Sequence, residues 1–309
     1  MMRAQDYRVL WKLDLIWACR IVALVHLALF VTYALLIAFD GVKLQHRHIT
    51  PVTKTFGAWV SKNGSSTPPP APAREIACAV ASSQDSRSGD YYIQSITIAY
   101  GEMDSRWVSA WFHFLSFVFQ MGSTASRDAY YRVLDDGRTH LGHFVEYSFS
   151  ASLMMLAIGV QLGVTDLFTL MGAAVNTWAC MVFGLFAELF FQSTPRASVS
   201  LWSVKLPAHW LAHGAGWVTL VFAMVAMYST LDMAVVCVPG VAIPGFVWAI
   251  IVIESILFCS FGAVQVGAFV AKATAKDPVV WAARAEASYI VLSICAKTIL
   301  GMLIFFSSS

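Results

Sequence analysis

Seven long apolar stretches constrain this chain more than any other feature of its sequence. They occupy residues 13–39, 107–125, 141–163, 166–191, 207–230, 244–270 and 282–306. Each stretch reaches the roughly 17 to 25 residues that an α-helix needs to cross the hydrocarbon core of a bilayer. Only 12% of the residues are charged and 58% are hydrophobic, whereas about 25% are charged in soluble domains. We therefore predict an all-α integral membrane protein, a single seven-transmembrane-helix bundle over residues 1–309.

The composition and the motifs exclude several classes of function. The formal net charge of the chain is only +2, which gives no basic excess for binding nucleic acid. The sequence contains no GxxxxGK[ST], GxGxxG or CxxC motif, so neither a nucleotide site nor a zinc site is expected. His209 and His213 have the i, i+4 spacing of metal ligands, but no carboxylate or cysteine is near them, and packing is the favoured reading. No nucleophile, base and oxyanion arrangement is recognisable, so we expect neither a metal nor an enzyme.

The positions of lysine and arginine predict the orientation. Short loops on the cytoplasmic side of membrane proteins carry an excess of these residues. Here the N-terminus and the short loops of one side carry ten lysines and arginines. The opposite short segments, around Asp166, around Asp232 and in the C-terminal tail, have none. The ten are Arg3, Arg8, Lys12, Arg127, Arg132, Arg138, Arg196, Lys205, Lys272 and Lys276. The N-terminus is therefore predicted to be cytoplasmic and the C-terminus extracellular.

A long segment, residues 40–106, separates the first two stretches and is predicted to be an extracellular loop inserted between helices 1 and 2. It contains the proline-rich sequence SKNGSSTPPPAPA and ends in YYIQSITIAY, whose β-branched and aromatic residues are typical of a strand. We expect a short β-hairpin over the outer face. Cys78 and Cys237 are the two cysteines predicted to lie outside the membrane, and they either pair as a disulfide in an oxidising compartment or stay separate.

Ionisable residues inside the apolar stretches are the strongest functional signal. Each charge at bilayer depth costs at least about 2.5 kcal/mol, so each requires a partner or a function. The group comprises Arg20, Glu146, Glu188, Glu254, Glu286 and Lys297. Desolvation favours the neutral amine of a buried lysine, and that amine forms a Schiff base with an aldehyde. Depth alone equally allows a structural lysine paired with a carboxylate.

Counting residues along the helices places several of these groups at similar depths. Glu146 lies about 15 Å from the inner boundary and Lys297 about 20 Å, at 1.5 Å per residue. Glu286 and Ser293 share a helical face with Lys297, which indicates that this face points into the bundle but does not reveal its chemistry.

Two histidines are predicted to lie at one level. His26 and His113 each come fourteen residues from a boundary cation, or about 21 Å. They could exchange protons with a Schiff base through water, or serve only as hydrogen-bonded packing residues.

Two sequence segments resemble a known family. The segment EYSFSASLMM (146–155) and the pattern Glu286, Tyr289, Ser293, Lys297 resemble the heliorhodopsins, rhodopsin-like retinal proteins whose N-terminus is cytoplasmic. The resemblance implies all-trans retinal bound to Lys297 as a protonated Schiff base, with Glu146 as its counterion. It further implies a homodimer surrounded by membrane lipid.

The same resemblance implies roles for other residues. The surroundings of the Schiff base are assigned to Ser293, His26, His113, Tyr147 and Ser150. Met154 and Trp217 are assigned to the retinal pocket, although core packing also explains an aromatic residue at position 217. Glu188 and Glu286 correspond to acids nearer the cytoplasmic end.

Three functions follow from this resemblance. Outward proton pumps of the microbial rhodopsin type carry a proton-donor carboxylate eleven residues after the third-helix carboxylate, where this chain has Ala157, so pumping is not expected. The first reading is a signalling photoreceptor read by an unidentified cytoplasmic partner or by the membrane. The second is a light-activated proton or ion conductance, with Arg20, Glu188, Glu254 and Glu286 along its path. A pigment-free scaffold or lipid-binding protein is the third, and the retained pair Lys297 and Glu146 argues against it.

Overall fold

The computed structural model describes residues 14–39, 49–61, 91–193, 198–201, 204–237, 243–274 and 277–306. These residues contain eight helices, and the prediction of an all-helical membrane protein is confirmed. The helices are α1 (Leu15–Phe39), α2 (Ser105–Ser123), α3 (Arg127–Asp135), α4 (Gly142–Gln161), α5 (Leu167–Ser193), α6 (Ala208–Cys237), α7 (Gly245–Thr274) and α8 (Pro278–Phe306).

Six of the helices in the described ranges are long and apolar enough to cross a membrane, namely α1 and α4 to α8. Their outward faces are apolar, as expected for helices surrounded by lipid. Phe222 is 64% exposed and Ile256 is 60% exposed. The chain is therefore an integral, multi-pass membrane protein.

The helix α2 is as long as a membrane span but is more polar. It buries a set of polar side chains, Ser105, Arg106, Ser109, His113, Ser116 and Gln120. Asp104 caps its first turn by accepting a hydrogen bond from the Arg106 backbone N–H at 2.9 Å. The helix packs against α1 and α4, so it belongs to the bundle, while its crossing of the membrane as a seventh span stays a prediction.

One end of the bundle gathers most of the segments that the charge count predicts to be cytoplasmic. At this end Asp14 accepts hydrogen bonds from Tyr131 and, at 3.4 Å, from Arg127. The loop residue Thr139 contacts Gln192 near the end of α5 and Lys272 near the end of α7. The starts of α1 and α4 and the ends of α5 and α7 therefore meet around α3, as alternating antiparallel helices require.

The helix α3 was not predicted, because its nine residues are too short for a membrane-length apolar stretch. Ser126 caps it by accepting a hydrogen bond from the Ala129 backbone N–H. Its inner face buries Tyr130, Tyr131 and Leu134, and Gly137 follows it with φ +70°, a left-handed conformation that favours glycine. The bounds of most other helices lie close to the predicted ones, but α6 ends at Cys237 rather than at 230.

In the described ranges, two pairs of antiparallel strands lie between the helices. In the segment between α1 and α2, β1 (Ile49–Ser61) pairs with β2 (Tyr91–Asp104), and the register shifts between Val52 and Thr53. Between α5 and α6, β3 (Ser198–Leu201) pairs with β4 (Val204–Pro207). The strands β3 and β4 were not predicted from the sequence.

Candidate functional site

The centre of the bundle holds a buried ion pair between α8 and α4. Lys297 Nζ donates a hydrogen bond to Glu146 Oε1 at 2.8 Å and another to Ser293 Oγ at 2.8 Å. The side chains of the lysine and the glutamate are only 2% and 1% exposed. Lys297 Nζ also lies 4.9 Å from the centre of the Tyr147 ring, a cation–π contact. Depth counting predicted only compatible levels for this pair, and the structure brings the two side chains into contact.

The two predicted histidines lie side by side between α1 and α2. His26 Nδ1 and His113 Nδ1 are 2.8 Å apart, so one ring donates a hydrogen bond to the other. Both rings are fully buried, and the Tyr33 ring lies 5.4 Å from His113. Among the described residues neither histidine hydrogen-bonds to Lys297, so the pair lies outside the immediate contacts of the ammonium group.

A cavity of about 340 Å³ opens beside Lys297. Six of the predicted site residues line it, namely Lys297, Ser293, Tyr147, Ser150, Met154 and Glu254. A neighbouring cavity of about 500 Å³ is lined by Trp217 and reaches α5, α6 and α7. Both cavities share Tyr147, Met181, Phe258 and Phe261 in their walls. The two cavities are therefore adjacent, and Lys297 lines one of them while Trp217 lines the other.

The chemistry of the residues that line these cavities suits the retinal that the family resemblance implies. Lys297 supplies the primary amine for an aldehyde, and the shared aromatic walls suit a long hydrocarbon. Ser150 Oγ is buried beside the lysine cavity and has no hydrogen-bond partner among the described residues. Ser150, Ser293, Glu254 and Lys297 are polar members of this lining, whereas Ala151, Met154, Met181, Phe258, Phe261 and Ala296 are apolar.

A second buried carboxylate, Glu286, connects α8 to α3 and α4. Its Oε1 accepts hydrogen bonds from Tyr130 at 2.6 Å and from His143 Nε2 at 2.8 Å. Burial, followed by the neighbouring negative charge of Glu286, raises the pKa of the Tyr130 phenol well above its ordinary value. The Tyr130 phenol therefore keeps its proton and donates a hydrogen bond to Glu286. This bond links α3 to the helix that carries Lys297.

Glu188 forms a separate cluster at the same end of the bundle. Its Oε1 accepts hydrogen bonds from Lys272 Nζ at 3.1 Å and from Gln192 at 2.8 Å. Lys272 also donates to the Thr139 hydroxyl. Glu188 and Glu286 are thus near the same bundle end, as the resemblance implies, but each has its own set of partners.

The predicted ion-path residues do not form one contiguous group. Arg20 donates to the Thr124 carbonyl at 2.6 Å at the end that holds α3. Glu254 is 2% exposed and lines the cavity beside Lys297. Within the described part of the chain no hydrogen bond joins Arg20 and Glu254. The possible disulfide between Cys78 and Cys237 is outside the described residues, since Cys78 and the side chain of Cys237 are not among them.

Sequence reasoning missed several residues that hold these clusters together. Tyr130, Thr139 and Gln265 were not singled out, and Lys272 was used only as a loop cation. A buried glutamine in an apolar stretch, such as Gln265 in α7, is the signal that was available, because a polar side chain at that depth requires partners.

His209 packs against the rings of Phe191, Trp210 and Phe269.

A comparison with known protein families identifies the family of this chain. The chain matches the heliorhodopsin family model over residues 76–308, a range that includes α2 to α8 and therefore both members of the central ion pair. No curated protein is detectably similar to the chain.

Proposed function

This chain belongs to the heliorhodopsin family of retinal-binding, light-sensing membrane proteins, and from that premise we propose that it is a signalling photoreceptor that does not pump ions. All-trans retinal is attached at Lys297, with the N-terminus in the cytoplasm and the C-terminus outside. When bound, retinal supplies the absorption of visible light and the change of shape that follows. The observation that carries the proposal is the buried pair Lys297 and Glu146.

The residues around Lys297 support a permanently charged nitrogen. A buried cation is stable in a low-dielectric interior only beside an anion, and the Glu146 carboxylate is 2.8 Å from Nζ. Ser293 Oγ provides a second polar contact from one turn earlier on α8. Both contacts depend on the position of Nζ, so a displacement of that nitrogen breaks them.

The signal is proposed to reach the cytoplasmic face through α4 and α8. His143 lies one turn before Glu146 on α4 and hydrogen-bonds to Glu286 of α8. Glu286 in turn holds Tyr130 of α3. A change in charge or position at Glu146 therefore acts on a group that fixes α3. We propose that a cytoplasmic partner, or the inner leaflet, detects α3, and that the protein is a homodimer.

A visible absorption spectrum tests the attachment. Protein expressed with all-trans retinal is expected to show a visible band that hydroxylamine bleaches under light, and Lys297→Ala is expected to lack it. Lys272→Met is the matched control, because it also breaks a buried ion pair but leaves the amine at 297. A band in a folded Lys297→Ala protein would overturn the attachment site.

Hydrogen exchange tests the signalling step. Amides of residues 127–135 are expected to exchange faster in light than in darkness, because release of Tyr130 frees the helix α3. The Lys297→Ala protein is the control and is expected to show no light effect. Identical exchange in light and darkness in the pigmented protein would refute the signalling route through α3.

A light-activated proton or ion conductance is the second candidate, and one observation favours it. Both carboxylate oxygens of Glu254 are buried and have no hydrogen-bond partner in the described ranges, although the side chain lines the Lys297 cavity. An unpaired acid at that depth is typical of a proton path. Patch-clamp recording under illumination distinguishes the two candidates: a photocurrent that Glu254→Gln abolishes favours conductance, and no photocurrent favours the sensor.

A further inference from the structure

A chain of hydrogen bonds joins three helices beside the cavity that Trp217 lines. The Trp217 indole N–H donates to His213 Nε2 at 2.8 Å, within α6. His213 Nδ1 lies 2.9 Å from Gln265 Oε1 of α7. Gln265 Nε2 donates to the Gly184 carbonyl of α5 at 2.8 Å. His213 and Gln265 are 8% and 3% exposed, so these hydrogen bonds are shielded from bulk water.

The direction of every bond in this chain is fixed. The Gly184 carbonyl can only accept, so the NH2 group of Gln265 must face it and the amide oxygen must face His213. The indole N–H can only donate, so His213 Nε2 must be unprotonated. His213 is therefore the neutral tautomer with its proton on Nδ1, and this N–H group donates a hydrogen bond to Gln265 Oε1.

The Trp217 ring is also held from the side of α7. A Cβ atom placed on Gly262 would lie 2.5 Å from Trp217 Cζ2, which is closer than any real contact. The indole thus lies against bare backbone on one side and is tied through its N–H to His213. Its remaining surface forms part of the wall of the 500 Å³ cavity.

We propose that His213 is a positioning residue that holds the Trp217 indole in place as a wall of the chromophore cavity. His213 sets the shape of that cavity through Trp217, because it fixes the direction of the indole N–H. Without an acceptor at 213 the indole N–H loses its hydrogen-bond partner, and the indole is free to turn into the adjacent space. The proposal rests on the proposed function only in that retinal occupies this space.

The test uses all-trans-retinol, which has the retinal hydrocarbon but no aldehyde to react with Lys297. Retinol binding to the retinal-free, full-length protein is measured by quenching of tryptophan fluorescence. His213→Leu removes the acceptor, and we expect its retinol affinity to fall about tenfold, a change equivalent to about 1.4 kcal/mol. His213→Gln supplies an amide oxygen for the indole and an NH2 group for Gln265, and we expect it to retain the wild-type affinity.

A double variant separates positioning from direct contact. In the Trp217→Phe background there is no indole N–H, so His213→Leu is expected to have no further effect on retinol affinity. An infrared difference spectrum against Trp217→Phe reports the indole N–H directly, and its hydrogen-bonded band is expected in the wild type and in His213→Gln but not in His213→Leu.

An equal loss of affinity in both backgrounds, or an unchanged N–H band in His213→Leu, would overturn the proposal. Circular dichroism confirms that each variant is folded, and if His213→Leu does not fold, His213→Gln and His213→Ala carry the comparison. The outcome is independent of the proposed function: a missing visible band with retinal refutes the photoreceptor, whereas the retinol and infrared results decide the role of His213.

Discussion

The central ion pair predicts a specific pattern of stability in the retinal-free protein. Replacing Lys297 by Met leaves Glu146 buried without its cation, and replacing Glu146 by Gln leaves the ammonium without its anion. At 2.8 Å and an effective dielectric constant of 20, the gross attraction of the pair is about 6 kcal/mol. Part of it is offset by desolvation, and removing one member of such a pair costs about 3–5 kcal/mol. Each single variant is therefore expected to lower the free energy of unfolding by about that amount.

The double variant is the decisive comparison. Lys297→Met with Glu146→Gln removes both charges, so the loss of stability is expected to be about 3 kcal/mol smaller than the sum of the two single losses. Equilibrium unfolding by sodium dodecyl sulfate in mixed micelles measures all four free energies. Ser293→Ala is a useful control, because it removes a hydrogen bond but no charge. Additive losses in the double variant would refute a coupled buried pair and with it the role of Glu146 as counterion.

Three further predictions concern groups away from the pair. Tyr130→Phe removes a hydrogen bond to the carboxylate of Glu286, and the free energy of unfolding is expected to fall by about 1.5–3 kcal/mol; exchange of α3 amides in darkness should accelerate, and unchanged exchange would contradict the link. Gly301→Ala places a Cβ about 2.7 Å from the Tyr33 hydroxyl. The free energy of unfolding should therefore fall by about 1–3 kcal/mol from overpacking, although alanine has the better helix propensity. An equal or higher melting temperature would argue against this close contact. Burial lowers the pKa of His140 below its ordinary 6.5, so the folded state binds fewer protons than the unfolded state. The free energy of unfolding is therefore expected to fall as the pH drops below about 6.5. His140→Gln should make the melting temperature less dependent on pH between pH 7 and pH 5.

The relative level of two residues along the bundle was predictable from the sequence, but their position around the bundle was not. Counting residues from the charged boundaries gave Glu146 and Lys297 compatible levels, and likewise His26 and His113. The same count gives no direction around the membrane normal, because two residues at one level can face opposite sides of a bundle. The contacts at 2.8 Å therefore required the packing of α1, α2, α4 and α8.

Contacts that depend on loops or on neutral polar residues were less predictable still. The nine-residue α3 is below the length at which an apolar pattern is distinctive, and its partner Glu286 is more than 150 positions away in sequence. Gln265 carries no charge, so the cost argument that singled out the acids did not identify it. His213 was interpreted as a packing residue, because the i, i+4 spacing relates residues of one helix and does not predict a partner on α7.

The pairing of β1 with β2 has a practical consequence for protein engineering. The last residue of β1, Ser61, is paired with the first residue of β2, Tyr91, and paired residues on antiparallel strands have Cα atoms about 4.5–5.5 Å apart. The two ends at which residues 62–90 are joined to the strands are therefore close together. A guest domain whose own termini are adjacent, such as a fluorescent reporter, can replace this segment without changing the spacing of the strands. Such a fusion would label the side of the bundle opposite α3 while leaving the residues around Lys297 untouched.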